Sequence, residues 1–358
     1  VKKLDWYIIR KFLGTFFFAL GLIILIAIIF DISEKLDDFL RSHAPLKEIV
    51  VSYYLNFIPY FVNLFSHLFI FIAVIFFTSR MAYNTEVVAI LSSGISFARF
   101  TRPYMIAAGV LAILSLLLLN FVIPKANKGR LAFEERYVRY QFRYTDLNIH
   151  RQIEPGTYIY LESYNNIDNL GYKFSMERIR NGVLTWKLNS EIMAWDSLKK
   201  CWRINHYYIR SIEGNRERLR MGATLDTTLA MQPKDFGRRI NNIETMTYSE
   251  LRRFIAQERM RGSDQIPYYL LEQYRRFSLP FATFVMALMG VSIASRKVRG
   301  GIGVHIGFGI LLSFSYIIFQ KLADTFALQA NMPPLLAVWI PNFIFAGIAA
   351  WLYHKAPK

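Results

Sequence analysis

The chain has 358 residues, of which 54% are hydrophobic, 16% aromatic and only 19% charged, with a formal net charge of +17. That apolar load exceeds what a soluble domain of this size carries. The single cysteine, Cys201, excludes an intrachain disulfide and a multi-cysteine metal site, and no nucleic-acid-binding signature accompanies the basic charge.

Phe12 to Phe30, Ile49 to Thr78 and Met105 to Ile123 contain no charged residue. A ~30 Å hydrocarbon layer needs roughly 20 helical residues, so each stretch predicts a spanning helix. The first is too long for the ~7–15-residue core of a signal peptide, and no small-x-small cleavage site follows it. Residues 1–124 thus read as one transmembrane half, with spans over 12–30, 49–78 and 105–123.

Between the second and third spans lies SRMAYNTEVVAILSSGIS, residues 79–96. Asn84 or Thr85 can cap a helix beginning at Glu86, whose carboxylate suits the positive end of the helix dipole. The helix would cover 85–94, present Val87, Val88, Ile90 and Leu91, and stop near Gly94. So short a helix is marginal in water and needs a surface. The bilayer interface, the protein's own spans and a cytoplasmic partner all fit.

Residues 125–265 change texture. TYIYLESY (157–164), YKFSMERIR (172–180), GVLTWKLNSEIMAW (182–195), CWRINHYYIRSI (201–212) and RLRMGATLDTTL (218–229) alternate apolar and polar residues and are separated by turn sequences. They predict antiparallel strands in a sandwich, jelly roll or open barrel. Thr247 and Glu250 match a capping box, so a helix is expected from about Tyr248 to Gly262. Residues 266–358 form the second transmembrane half, with uncharged spans over 277–295, 302–320 and 335–353. The fold class is therefore an α-helical membrane protein of six spans, three and three, around an inserted β domain.

Lys and Arg in short loops resist crossing the bilayer. They gather before span one, between spans two and three, between spans four and five and at the C-terminus, which predicts cytoplasmic termini and a β domain on the other side. No P-loop, H-E-x-x-H or G-x-S-x-G motif is present. Spans two to six lack a mid-depth acid or base, which argues against an ion-coupled carrier. His67 and His305 lie within spans; a neutral histidine hydrogen-bonded inside the bundle is the plainer reading, a functional ionisable group the sharper one. Energy, if used, comes from another protein.

LDWYIIRKFLGTFF at span one, SRMAYNTEVVAILSSGIS, FVIPKAN after span three, LPFATFVMALMGVSIA in span four and NMPPLLAVWIPNFIF at span six, in that order around a β insertion, resemble the LptF/LptG (YjgP/YjgQ) permeases, which extract lipopolysaccharide from the inner membrane. The first and last of these favour the LptG branch. The resemblance covers essentially the whole chain. It implies an ABC transporter permease of the bacterial inner membrane with a periplasmic jelly roll and no cofactor. Its implied partners are an LptF-like permease, an LptB-like ATPase dimer, a single-span LptC-like protein and lipopolysaccharide. The family's coupling helix matches 85–94, so Glu86, Val87, Val88, Ile90 and Leu91, with Arg80, become candidate ATPase contacts. Spans one and five would line the cavity and its gates. Phe30, Asp31, Glu34 and Lys35 on the first and His305 and Phe308 on the fifth are the cavity or gate candidates.

One departure concerns lipid phosphate. Where family members can carry lysines, this chain has Asp31, Glu34, Asp37 and Asp38 around a lone Lys35. A less phosphorylated lipid, cation bridging or a solvated acidic helix end each accounts for that. Two other classes stay open from the residues: another ABC exporter permease, for lipoprotein or peptide, and a non-transporting scaffold displaying a β domain.

Overall fold

The computed structural model describes residues 3–138, 147–214, 216–229, 231–236, 240–296 and 301–356. The chain forms two compact units, one of Val1–Val138, Glu244–Tyr248 and Pro267–Lys358, the other of Arg139–Ile243 and Ser249–Ile266. The helices are α1 (Lys3–Arg41), α2 (Leu46–Tyr83), a short α3 (Glu86–Ser92) and α4 (Phe97–Tyr137), then, after the strands, α5 (Tyr248–Met260), α6 (Ile266–Ala294), α7 (Gly301–Gln329) and α8 (Pro334–His354). Six of them, all but α3 and α5, are long and apolar enough to cross a membrane. They outrun their uncharged cores: α1 continues through the acidic segment to Arg41, and α4 reaches Tyr137.

Helix α2 is the centre of the first unit, packing against α1, α4 and α7, with α8 beside α7. Its Ile70, Phe71, Ala73, Val74 and Ile75 are fully buried. Two glycines permit the approach of neighbours. A Cβ on Gly290 of α6 would stand 2.9 Å from Val74, and one on Gly309 of α7 would stand 2.5 Å from Ile75. Polar side chains inside the bundle reach across helices. The Thr78 hydroxyl donates to Tyr104, Ser115 donates to Asn63, and Asn342 of α8 accepts from Tyr316 of α7 while donating to the Ser278 carbonyl of α6. Such bonds matter where no water can replace them. Burial is uneven: 67% of the most apolar window of α6 is buried, but only 17% of that of α1 and 22% of that of α7.

Helix α2 is π-wound near its start, over Ile49–Tyr54, and α4 is π-wound in mid-course, over Leu118–Val122. A π turn shifts the phase of the side chains that follow. In α2 it turns adjacent Tyr53 and Tyr54 inward together.

The second unit is one six-stranded antiparallel sheet in up-and-down order: β1 (Leu147–Glu154), β2 (Thr157–Asn165), β3 (Leu170–Arg180), β4 (Val183–Asp196), β5 (Cys201–Glu213) and β6 (Arg216–Thr227). Every strand pairs with its sequence neighbours, a simpler connection than the crossings of a closed jelly roll. Strand β1 is an addition to the five that alternation predicts.

A transverse crease crosses the sheet. Asn148, Lys173 and His206, on β1, β3 and β5, all have positive φ (55°, 49° and 50°). The flanking ladder pairs put them on one line, with Glu162 and Glu191 between them on β2 and β4. Pairing register is kept across the line, but the inward-facing parity slips: Ile159 and Leu161 are followed by Tyr164, and Trp202 and Ile204 by Tyr207. The apolar face so formed is covered by residues 231–236. Phe236 and Met231 are buried, Phe236 lies 4.8 Å from the Tyr164 ring, and the Trp202 indole N–H donates to the Met231 carbonyl at 2.8 Å.

Because Phe236 is fully buried in this core, Phe236→Ala is expected to destabilise the sheet by about 3–5 kcal/mol. In the intact chain this would read as lost amide-exchange protection in β2 and β5 with α2 unchanged; undiminished protection in both strands would show that the strap adds nothing to the core.

Candidate functional site

The segment after α2 is built to turn tightly. Thr85 adopts a left-handed conformation (φ 64°), the chain then winds α3, and Gly94 (φ 84°) stops it. The side-chain cap expected from Asn84 or Thr85 is not made: the Thr85 hydroxyl donates back to the Asn84 carbonyl at 2.6 Å, because the left-handed backbone turns it away from the helix amides. Ser96 caps the start of α4 instead, accepting from the Arg99 amide.

The faces of α3 are sorted by helical spacing. Val87 is 1% exposed and joins the bundle core, and Ile90 and Leu91, three and four residues on, pack partly beside it. Of the four apolar residues expected to be presented, only Val88 is, at 56% exposure, together with Tyr83, Ala89 and Arg80. Glu86 is half-buried. Its carboxylate accepts from the Tyr7 hydroxyl of α1 at 3.2 Å and from Asn84 at 3.4 Å. Two residues earlier on α1, Asp5 takes both terminal nitrogens of Arg99 at 2.7 and 2.8 Å. A bidentate, largely buried pair of this kind fixes orientation as well as distance. The loop helix and the first turn of α4 are therefore fastened to the start of α1, a link the sequence did not reveal because its partners lie 79 and 94 residues apart.

At the far end of α1 the acidic cluster divides. Asp31 accepts from Tyr53 and Tyr54 at 3.1 Å each and pairs with Lys35 at 2.6 Å. Lys35 also donates to the Tyr53 hydroxyl and stands over its ring. The ammonium is thus engaged within the protein, while Glu34 and Asp37 face outward. Phe30 is 72% exposed and Phe308 56% exposed. His305 is buried and donates to the Arg296 carbonyl at 3.1 Å, and His67 donates to the Leu279 carbonyl at 2.8 Å. Both histidines satisfy a backbone acceptor. Phe30, Asp31, Glu34 and Lys35 lie together near the C-terminal part of α1, whereas His305 and Phe308 lie in the first turns of α7; the two groups are on helices that both lean on α2.

Charge concentrates once more around Glu244. Arg130 lies 3.8 Å from Glu134 and 3.9 Å from Glu244, Arg275 bridges Glu272 and Asp324 at 3.3 and 2.8 Å, and Arg276 donates to the Met246 carbonyl. This network ties α4, α6 and α7 to residues 244–248. Burial, and secondarily the Glu272 carboxylate, hold the Glu244 carboxyl above its ordinary value near 4.5, with Arg130 and Arg275 opposing.

These features define a multi-pass membrane protein whose two sets of three spans flank an inserted sheet, with a loop helix fastened to the first span. The chain belongs to the family of lipopolysaccharide export system permeases LptF/LptG, whose model matches residues 6–355. No curated protein matches it. The family makes it a multi-pass inner-membrane permease for lipopolysaccharide export, a transport subunit rather than a catalytic enzyme, acting in the Lpt complex with a partner permease.

A raised carboxyl pKa means the folded chain holds that proton more tightly than the unfolded one, so its contribution to stability declines as pH rises from about 4.5 through the folded value. Glu244→Gln is expected to flatten this part of the pH dependence of thermal unfolding in detergent; an unaltered slope between pH 4.5 and 8 would show that Glu244 does not contribute to it.

Proposed function

We propose that the chain is the LptG-like permease of an ABC transporter that extracts lipopolysaccharide from the outer leaflet of the inner membrane and passes it to a periplasmic β bridge. In this reading the termini and α3 are cytoplasmic and the sheet is periplasmic. An LptB-like ATPase dimer hydrolyses ATP and docks on α3; an LptF-like permease completes the cavity, the β domain receives the lipid, and an LptC-like single-span protein joins the complex.

The observation that carries the coupling is the Tyr7–Glu86 bond. It joins the candidate docking helix to α1, the span with the least buried surface. With Val87 anchored in the core and Val88, Arg80 and Tyr83 outward, a push on α3 moves the start of α1 rather than a loose loop. Val87 therefore anchors α3, and Val88 and Glu86 meet the ATPase. Moving acyl chains from bilayer to an apolar cavity is nearly neutral, since burial of a CH₂ gains its ~0.8 kcal/mol only relative to water. The work lies in lifting them out of the layer, and closure of α1 and α7 on the lipid supplies it. Phe30 and Phe308, exposed on those helices, are the acyl-chain contacts, and His305 holds the start of α7. Lys35 and Asp31 position α1 against α2, which leaves Glu34 as the headgroup candidate, through a bridging cation.

Glu86→Ala is expected to leave the fold intact, weaken ATPase co-purification at least tenfold and stop extraction from proteoliposomes. Tyr7→Phe should retain the ATPase yet lower lipid-stimulated hydrolysis. Wild-type extraction by the Glu86 variant would end the assignment.

A further inference from the structure

The face of the sheet opposite its apolar core carries a groove of about 960 Å³ beside the crease. Cross-strand register explains its shape. One row runs His150, Tyr160, Ser175, Asn189, Tyr208 from β1 to β5, tall at both ends and low at Ser175. The next row brings Tyr158, Glu177 and Lys187, and the crease supplies Lys173, Glu191 and His206 as one wall.

The chemistry of this lining is specific. Its two lysines are already neutralised, Lys173 by Glu162 at 2.8 Å and Lys187 by Glu177 at 2.6 Å. Glu191 has no cationic partner among the described residues, so the groove offers no net attraction to an anion. Aromatic surface is abundant: Tyr158 is 41% and Tyr208 45% exposed, and the His150 and Tyr160 rings lie 4.8 Å apart. Around these rings stand an amide, a carboxylate and two imidazoles. At the floor the Ser175 hydroxyl is buried with no hydrogen-bond partner, an unusual omission in a folded sheet. Rings to stack on the C–H face of a pyranose, planar groups to bind its hydroxyl rim and a volume within the range of small-molecule sites suit a sugar better than a phosphate or an acyl chain.

We infer that this groove is a saccharide-binding site, taking an uncharged stretch of glycan across Tyr158, Tyr160 and Tyr208. The inference rests on the export reading only for the source of that glycan, the sugar portion of the transported lipid. The site would hold the hydrophilic end of the lipid on the face away from the apolar core.

The test uses the full chain in its permease complex in nanodiscs, with lipid-free core oligosaccharide and maltotriose as probes for saturation-transfer NMR and inorganic phosphate as a competitor. Transfer to the oligosaccharide is expected, and Tyr158→Ala with Tyr208→Ala should weaken binding at least tenfold. Both rings are surface-exposed, so unchanged near-UV dichroism of the β unit verifies the fold; Ser175→Phe, which fills the floor, gives an independent second loss. No transfer in the wild type, undiminished binding in both variants, or complete displacement of the oligosaccharide by phosphate would overturn the site. Tighter binding of the core oligosaccharide than of maltotriose assigns it to the exported lipid, whereas equal binding keeps a saccharide site and overturns that link. A complex that retains lipopolysaccharide but ignores the oligosaccharide refutes this inference and leaves the export reading standing; sugar binding without lipid retention does the reverse.

Discussion

Helix α2 has to bury its surface against several helices at once, in a medium that offers no water to any polar group left behind. Two features of the sequence make that possible. Glycines 290 and 309 remove the side chains that would collide with Val74 and Ile75, and Asn63, His67 and Thr78 of α2 find partners on other helices or their carbonyls. Close packing around one helix has a consequence at the periphery. Helices α1 and α7 pack on α2 and on one further neighbour each, α4 and α8, and leave most of their apolar surface bare. For a subunit that works beside a second permease and handles a multi-chain lipid, bare surface on these two helices is useful rather than a defect of packing.

Helix α1 is held by polar bonds near its two ends and by the buried Ile8, Phe12, Phe16 and Leu20 between them, and is apolar where it is bare. At one end Asp5 grips Arg99 and Tyr7 meets Glu86; towards the other, Asp31 gathers Tyr53, Tyr54 and Lys35. The 39 residues of the helix span about 58 Å at the usual rise. A rod fastened near its ends by directional bonds transmits displacement applied at one of them, and α1 contains no proline to kink it. Directional bonds at the ends and undirected contacts between are thus a mechanical arrangement as much as a thermodynamic one.

The spans were legible because hydrocarbon thickness imposes a length on uncharged runs, and the start and stop of α3 because Glu86 and Gly94 mark helix ends. What the sequence hid were phases and distant pairings. Val87 and Val88 are equally apolar, and only the packing of α3 tells which one is anchored and which is offered. Lys35 looks like a free cation in an acidic run until the π turn of α2 delivers two tyrosines to its partner Asp31. Strand β1, LNIHRQIE, has its apolar residues interrupted by His, Arg and Gln, so its alternation is weak as a pattern although Ile149 and Ile153 are buried. The crease is the clearest case. Strict alternation puts Leu161 and Tyr164 on opposite faces, yet both line the core, because parity slips at Glu162 while register does not.

That slip also decides how the two faces of the sheet differ. Inward residues on both sides of the crease belong to a single apolar surface, and the outward face is left with charged, amide and tyrosine side chains that pair among themselves. The apolar surface is closed by a strap held through Met231, Phe236, one indole hydrogen bond and the Arg151 contact with the Asp235 carbonyl. None of these is a strand pair. The strap therefore covers Tyr164, Trp202 and their neighbours through side-chain packing and single hydrogen bonds, while the sheet ladder by itself keeps the polar face in shape.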